Sequence, residues 1–253
     1  QEREGLDRNQ TTLPGLQPEL IQAVLQVASN KTILVLMHGG SLSLGEHVLT
    51  HTPAIVSAPY GGQAASRALA SVLFGEYNPT GKLAATMYPP SFAQDLPMTE
   101  MGLRVGVGRT HLHYKGTPEF PFGHGLSYSQ WHLEWAEYKN DMDLELLGTG
   151  TTLRVNVTVR NTGPHRGSQT VLLFWRPVSS INIRQKLIGF QGSQVLDVGE
   201  KQLLQFGIKW EDFALWNDMR NSTVVSSGTY LLEARASNAQ LTRKLRIGKS
   251  TLD

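Results

Sequence analysis

The spacing of hydrophobic positions changes part-way along the chain, from helical to alternating. In the first half, Leu20, Ile21, Val24, Leu25 and Ala28 form one apolar stripe and predict a helix over about 17–28, just after the break Leu13-Pro14-Gly15. Thr32–Met37 is a short continuous apolar run, the pattern of a buried parallel strand, and it ends at His38-Gly39-Gly40. Ala54–Ala58 carries a second strand signal, and the Ala- and Leu-rich stretch from about Gln63 to Phe74 predicts a helix closed by Gly75. Asn78-Pro79-Thr80-Gly81 reads as a turn, and Lys82–Tyr88 alternates as a strand would. Strand–helix–strand units imply an open α/β sheet, whose ligands usually sit beyond the carboxyl ends of the strands.

From about Gln130 the period becomes two. Leu153, Val155, Val157 and Val159 alternate with Arg154, Asn156, Thr158 and Arg160. Further strand signals lie at Thr170–Trp175, Lys186–Phe190, Gln202–Ile208, Thr229–Ala236 and Leu241–Ile247, separated by turns such as Asn161-Thr162-Gly163-Pro164. Short strands at this spacing predict an antiparallel sandwich. The expected organisation is therefore an α/β open-sheet domain over 1–128, followed by an all-β sandwich over 129–253. Residues 89–128 are punctuated by Pro and Gly; a loop this long is expected to wrap a neighbour or line a cleft.

Composition narrows the possible functions. The formal net charge of the 253 residues is +2, so no basic field argues for nucleic acid. Arg243-Lys244-Leu245-Arg246 is interrupted by an apolar residue, as an exposed strand face would be. No apolar run approaches the ~20 residues that span a bilayer as a helix, so no membrane contact is expected. With no cysteine, disulfides and thiol catalysis are excluded. The chain starts at Gln1 with no apolar leader and reads as part of a longer product. Asn-x-Ser/Thr acceptors at Asn9, Asn30, Asn156 and Asn221 lean toward an extracellular, secreted protein, or a lysosomal one. His111 and His113 would share one face of a strand, and His38, His47 and His51 fall close together, but nothing completes a zinc set. Neither a metal nor a cofactor is expected. Trp175, Trp210 and Trp216 read as core or interface anchors rather than sugar-stacking platforms, with Trp216 in a loop.

Two segments carry the candidate chemistry. Gln1-Glu2-Arg3-Glu4-Gly5-Leu6-Asp7-Arg8 packs acids and arginines ahead of Leu13-Pro14-Gly15-x-Gln17, where a loop could project into a cleft. Pro121-Phe122-Gly123-His124-Gly125-Leu126-Ser127-Tyr128 cannot form a regular helix and reads as a tight connector whose backbone approaches something closely.

Both segments resemble glycoside hydrolase family 3. The first matches its Glu-x-Glu-x-x-Asp-Arg…Leu-Pro-Gly-x-Gln segment, and the second, with Gly108-Arg109-Thr110 and Tyr114, matches the end of its second domain. Leu73-Phe74-Gly75-x-Tyr77-Asn78-Pro79-x-Gly81-Lys82-Leu83 and Pro97-Met98-Thr99-x-Met101-x-Leu103-Arg104 are similar to the β-xylosidase/α-L-arabinofuranosidase branch. Arg160-Asn161-Thr162-Gly163, Leu187-Ile188-Gly189-Phe190 and Gly228-Thr229-Tyr230 resemble its fibronectin-type-III-like (immunoglobulin-like) third domain. The resemblance implies the carboxyl-terminal part of a retaining exo-β-glycosidase, most like xylan 1,4-β-xylosidase. Such chemistry needs a nucleophilic carboxylate and a general acid roughly 5–5.5 Å apart. The acid/base falls on Glu4, with Glu2 as second candidate; the nucleophile belongs to an amino-terminal (β/α)8 barrel that these residues do not encode. The implied partners are that barrel and a xylo-oligosaccharide-like substrate, and the chain alone is expected to be inactive. Two departures stand out: Gly39-Gly40-Ser41-Leu42-Ser43 replaces Gly-Gly-Pro-x-Asp, and Pro59–Ser66 alters a glycine-rich turn. They keep open an alternative, a catalytically silent carbohydrate-binding or interaction paralogue. Xylose, arabinose and glucose are not separated by these residues.

Overall fold

A computed structural model describes residues 4–5, 8–97, 99–136, 144–146, 150, 152–178 and 183–248. The chain forms two compact units, one of residues 1–76 and 83–124, the other of 77–82 and 125–253.

The first unit is α/β. Helix α1 (Gln17–Ala28) leads into strand β1 (Ile33–His38), a short helix α2 (Glu46–His51), strand β2 (Ala54–Pro59) and helix α3 (Ala65–Leu73). β1 and β2 pair in parallel from Ile33↔Ala54 to His38↔Pro59, so both strands end at the same edge of the sheet. Leu36, Leu42 and Met87 form the buried cluster under this edge, with Leu34, Ile55 and Phe120 packed against it. The apolar run of β1 forms its strand, yet Ile33 and Met37 are exposed, and so are Leu20 and Val24 on α1. Among the described residues the parallel sheet has two strands, and the faces of such a sheet are covered by helices packed on it, which leave Ile33 and Met37 open here.

Two local expectations are corrected here. Lys82–Tyr88 does not form a strand. Its backbone groups bond to the 120–124 loop instead: Leu83 N–H to His124 O at 2.8 Å, Gly123 N–H to Leu83 O at 2.8 Å, and Met87 with Phe120 as an isolated bridge. His111 and His113 lie not on a strand but on the single helical turn α5 (Thr110–His113), which follows the other short turn α4 (Phe92–Asp95). Thr110 has a φ of +62° and donates its backbone N–H to the Tyr88 hydroxyl at 2.8 Å, which turns the chain into a helix where alternation suggested extension. Tyr88 in turn stacks on Phe92 at 3.8 Å and meets Tyr114 edge-on at 4.9 Å. The Gly108-Arg109-Thr110…Tyr114 segment is thus a folding element of the long loop.

The second unit is a sandwich whose strand pairs are antiparallel except for one parallel pair, 144–146 with 245–247, and the strands predicted at Leu153–Val159 and from Thr229 are present. One sheet has the order β3-β5-β8 (Gln130–Trp135, Thr152–Gly163, Lys201–Lys209). The other has the order β4-β12-β11-β6-β7 (Leu144–Leu146, Gln240–Ile247, Gly228–Arg235, Thr170–Pro177, Lys186–Gly192). A small hairpin of β9 (Leu215–Asn217) and β10 (Ser222–Val224) completes the described strands. Leu204, Phe206 and Ile208 of β8 are buried in alternation, the period-two pattern read from sequence, whereas on β5 Asn156 and Thr158 are buried along with Val155, Val157 and Val159, so that strand is not half-buried there. Trp175 sits at the centre, 5.3 Å from Phe213 and 5.2 Å from Tyr230, and its indole N–H donates to Asp212 O at 3.1 Å.

The Gly-rich connector finds its close approach inside this unit. A Cβ on Gly125 would stand 2.1 Å from Gly81 O, so only glycine fits. Asn78, buried in the same place, accepts the Ser127 hydroxyl at 2.8 Å and the Tyr128 N–H at 2.9 Å through its carbonyl oxygen. Its amide nitrogen reaches Arg166 O at 3.4 Å. The Asn-Pro-x-Gly turn and the Gly-His-Gly connector are therefore two halves of one contact, which explains why residues 77–82 fold with the sandwich.

Lys82 closes this contact from below. Its ammonium donates to Ser237 Oγ at 3.0 Å and, more distantly, to Gly125 O at 3.5 Å, and burial lowers its pKa from 10.5 to about 8. Below pH 8 the lysine is protonated both folded and unfolded and adds no pH dependence. Between about 8 and 10.5 only the unfolded chain keeps the proton, so stability from this group rises with pH. Tyr230, whose phenol is pushed up by burial, acts in the opposite sense above its unfolded value of 10.0. The expected result is a urea midpoint that climbs between pH 7.5 and 9.5 in the wild type and stays level in Lys82→Met. Equal slopes in the two proteins would contradict the assignment.

Candidate active site

Glu4 lies in an exposed turn with Gly5, whose φ is +75°. Glu2, the second candidate, and Asp7 fall outside the described residues, as does Met98 of the Pro-Met-Thr segment. The structure therefore places one of the two proposed acids, on the amino-terminal side of a segment that is firmly fastened from Arg8 onward.

The fastening is made by the loop that follows β1. Arg8 donates from Nη2 to Ser41 O at 3.3 Å, and Ser43 N–H donates to Thr11 O at 2.8 Å. Thr12 and Ser43 pair as a parallel bridge. Ser43 itself is 1% exposed, and its hydroxyl donates to Tyr88 O at 2.6 Å. A hydroxyl has one proton to give, so the 2.6 Å contact between Ser43 Oγ and Thr11 Oγ1 is Thr11 donating to Ser43. Ser41 makes the matching bond to Thr86 O at 2.8 Å. The two serines thus tie the acidic segment to the end of β1 and to residues 86–88 at once. Sequence reading registered Ser43 only as the loss of a carboxylate; the cue it missed is that Thr11 and Ser43 are a hydroxyl pair.

The rest of the loop is held from its other end. The His38 ring lies 2.6 Å from Gly40 O through Nδ1 and 2.9 Å from Ser57 Oγ through Nε2. A carbonyl can only accept, so Nδ1 carries a proton and, in the neutral ring, Nε2 accepts from Ser57. This ties the carboxyl ends of the two paired strands together, the edge where α/β sheets bind ligands. Glu119 accepts Leu44 N–H at 2.8 Å and Gly45 N–H at 2.7 Å with its two carboxylate oxygens, ahead of α2. It is engaged in holding backbone. Among the described residues no cluster of three His, Cys, Asp or Glu could hold a metal ion. The His47 and His51 rings lie 4.4 Å apart and tilted by 33° within α2, while His38 makes the separate contacts just given. Among the described residues no helix is long and apolar enough to cross a membrane.

The sequence profile of the glycosyl hydrolase family 3 C-terminal domain matches residues 1–128, and that of the fibronectin type III-like domain matches residues 169–238. The chain belongs to glycosyl hydrolase family 3. Its relatives in the family include Beta-D-xylosidase 1 of Arabidopsis thaliana, 33% identical over 241 residues, spanning 82% of this chain and 31% of that protein. Exo-1,4-beta-xylosidase xlnD of Aspergillus niger is 30% identical over 270 residues, covering 97% of this chain and 33% of its own length. Thermostable beta-glucosidase B of Acetivibrio thermocellus is 34% identical over 243 residues, so glucosidases match as well as xylosidases do. Among solved structures, a family 3 exo-beta-xylosidase (XlnD) in complex with a xylobiose aziridine probe superposes with a TM-score of 0.85 at 25% identity. The match takes in 98% of this chain and 34% of that one. The chain thus spans about a third of the length of the relatives it matches, and within the family it is the C-terminal α/β domain followed by the fibronectin-like sandwich. These relatives are named as glycosidases and lend no support to the alternative of a silent binding paralogue.

Ser43→Ala removes the donor to Tyr88 O and the acceptor for Thr11, leaving two half-buried polar groups without these bonds at a cost of about 1 kcal/mol. The expected outcome is a lower urea midpoint together with faster hydrogen exchange at the Ser43 amide. A loss of stability with unchanged exchange there would show that Ser43 matters to packing alone.

Proposed function

We propose that this chain is the carboxyl-terminal part of a retaining exo-β-glycosidase, most like xylan 1,4-β-xylosidase, and that it contributes the acid/base loop. The observation that carries the reading is the acidic segment with Glu4, anchored through Arg8 and Thr11 to the Ser41–Ser43 loop. In relatives named as xylosidases the two domains found here accompany roughly two further thirds of chain. Glu4 is the preferred acid and Glu2 the second candidate. The nucleophile comes from an amino-terminal barrel of the same protein, and the substrate is a xylo-oligosaccharide-like glycan. Because double displacement needs both carboxyl groups, these 253 residues alone turn nothing over. The protein is extracellular or lysosomal and glycosylated, a reading supported by its four acceptor sequons.

The test is Glu4→Gln in the protein joined to its barrel. Loss of the acid/base lowers turnover of substrates with poor leaving groups by about 10²–10⁴-fold and harms activated aryl β-xylosides far less, since their departure needs little protonation and only hydrolysis of the glycosyl-enzyme is slowed. Azide then restores part of the aryl rate, because attack on the glycosyl-enzyme no longer requires a base. If Glu2→Gln shows this selective loss and Glu4→Gln does not, the role moves by two positions. If neither does, the acid lies outside this segment.

A further inference from the structure

We propose that Asn221 carries an N-linked glycan whose first N-acetylglucosamine lies against the ring of Trp216. The four sequons are alike in sequence and different in structure. Asn156 is 4% exposed in the middle of β5, hydrogen-bonded between β3 and β8, where no sugar can enter. Asn9 is exposed, but the hydroxyl of its sequon, on Thr11, is spent on Ser43. Asn30 is exposed, but its Thr32 hydroxyl donates to Ala28 O at 2.7 Å. In Asn221-Ser222-Thr223 alone of the four are all three residues exposed.

The site sits on the β9–β10 hairpin, and the hairpin's register supplies the sugar's resting place. Thr223 is the direct cross-strand partner of Trp216, so the two side chains share a face. Asn221 directly precedes β10, two positions from Thr223, so a sugar on its amide starts beside the Trp216–Thr223 pair. Asn221 has a φ of +46°, a left-handed conformation that asparagine tolerates, and the turn before it is closed by Arg220 N–H donating to Asn217 Oδ1 at 3.0 Å. Trp216 is 48% exposed, an aromatic surface on a solvent-facing hairpin whose tip residue Met219 is 97% exposed. The apolar face of a pyranose laid on that indole covers it without burying a polar group unpaired.

The modification is a transfer from a polyprenyl-pyrophosphate-linked oligosaccharide. The amide nitrogen of Asn221 forms a bond to the anomeric carbon, the anomeric C–O bond to pyrophosphate breaks, the amide loses one proton, and the lipid pyrophosphate leaves. The proposal rests on the secretory routing put forward above and is independent of the catalytic reading.

The experiment places the full 253-residue chain behind a supplied secretory leader in a glycosylating eukaryotic cell and maps the glycopeptides. Supplying the leader separates the two ideas, since native routing is then tested apart by locating the untagged protein in its own cell. Expected are occupancy at Asn221 and none at Asn156. Trimmed to a single N-acetylglucosamine, the chain should unfold roughly 2–4 °C above Asn221→Gln, and the gap should vanish when both carry Trp216→Ala. An unmodified Asn221 overturns the proposal whether or not the other sequons are occupied, and this holds even if Trp216→Ala fails to fold. Occupancy at Asn221 with a thermal gap that survives Trp216→Ala overturns the stacking against Trp216.

Discussion

Buried polar side chains that hydrogen-bond to several segments at once hold this chain's irregular segments in place, and Asn161 is the clearest of them. It is completely buried, and its oxygen accepts the Ser129 hydroxyl at 2.6 Å and the Gly163 N–H at 2.9 Å. Its nitrogen donates to His165 O at 2.8 Å and Leu196 O at 3.0 Å. An amide offers two donors and two acceptor positions, so all four are spent. Each bond is worth about 1 kcal/mol net, but losing any partner leaves a buried group unpaired at greater cost. The loops of the sandwich are therefore fixed all together or not at all. Asn78 does the same for the Gly-rich connector with three of its four positions filled, and Ser43 Oγ does so for the acidic segment by donating once and accepting once.

This bears on how function is inherited by a chain with altered motifs. Replacement of an acidic position by Ser43 reads, on paper, as decay of a functional loop. In the structure the serine donates to Tyr88 O and accepts from Thr11, whose hydroxyl is present to meet it. A neutral pair spans the position, and no uncompensated carboxylate is left behind. The segment that follows Glu4 is thus anchored by neutral hydroxyls, and that anchoring is the physical reason to prefer the catalytic reading proposed above.

Regular elements were legible in the sequence because apolar spacing marks a helix or a strand even where, as at Leu20 and Val24 of α1, the apolar residues are exposed. The stripe Leu20–Ala28 gave α1 to the residue, and alternation gave β5, β8, β11 and β12. Where the pattern misled, backbone groups had found partners outside regular structure. Lys82–Tyr88 alternates, but its amides and carbonyls are taken by the 120–124 loop; Thr110–His113 is drawn into a helical turn by the Tyr88 hydroxyl. The sheet's exposed Ile33 and Met37 could not be foreseen either, since an apolar run states what a strand prefers and not how many neighbours it has. Of the candidate site, the residue types were readable and the Ser41–Ser43 latch was not, because its bonds join residues more than thirty positions apart.

The central claim is that the segment around Glu4 supplies the proton to the departing sugar. The pH dependence of kcat/KM for xylobiose, measured on the protein joined to its barrel, tests it most directly. A general acid gives the profile a basic limb, where activity falls as the acid loses its proton. The account predicts that this limb disappears in Glu4→Gln while the acidic limb stays in place. A basic limb that persists unchanged in that variant would contradict it.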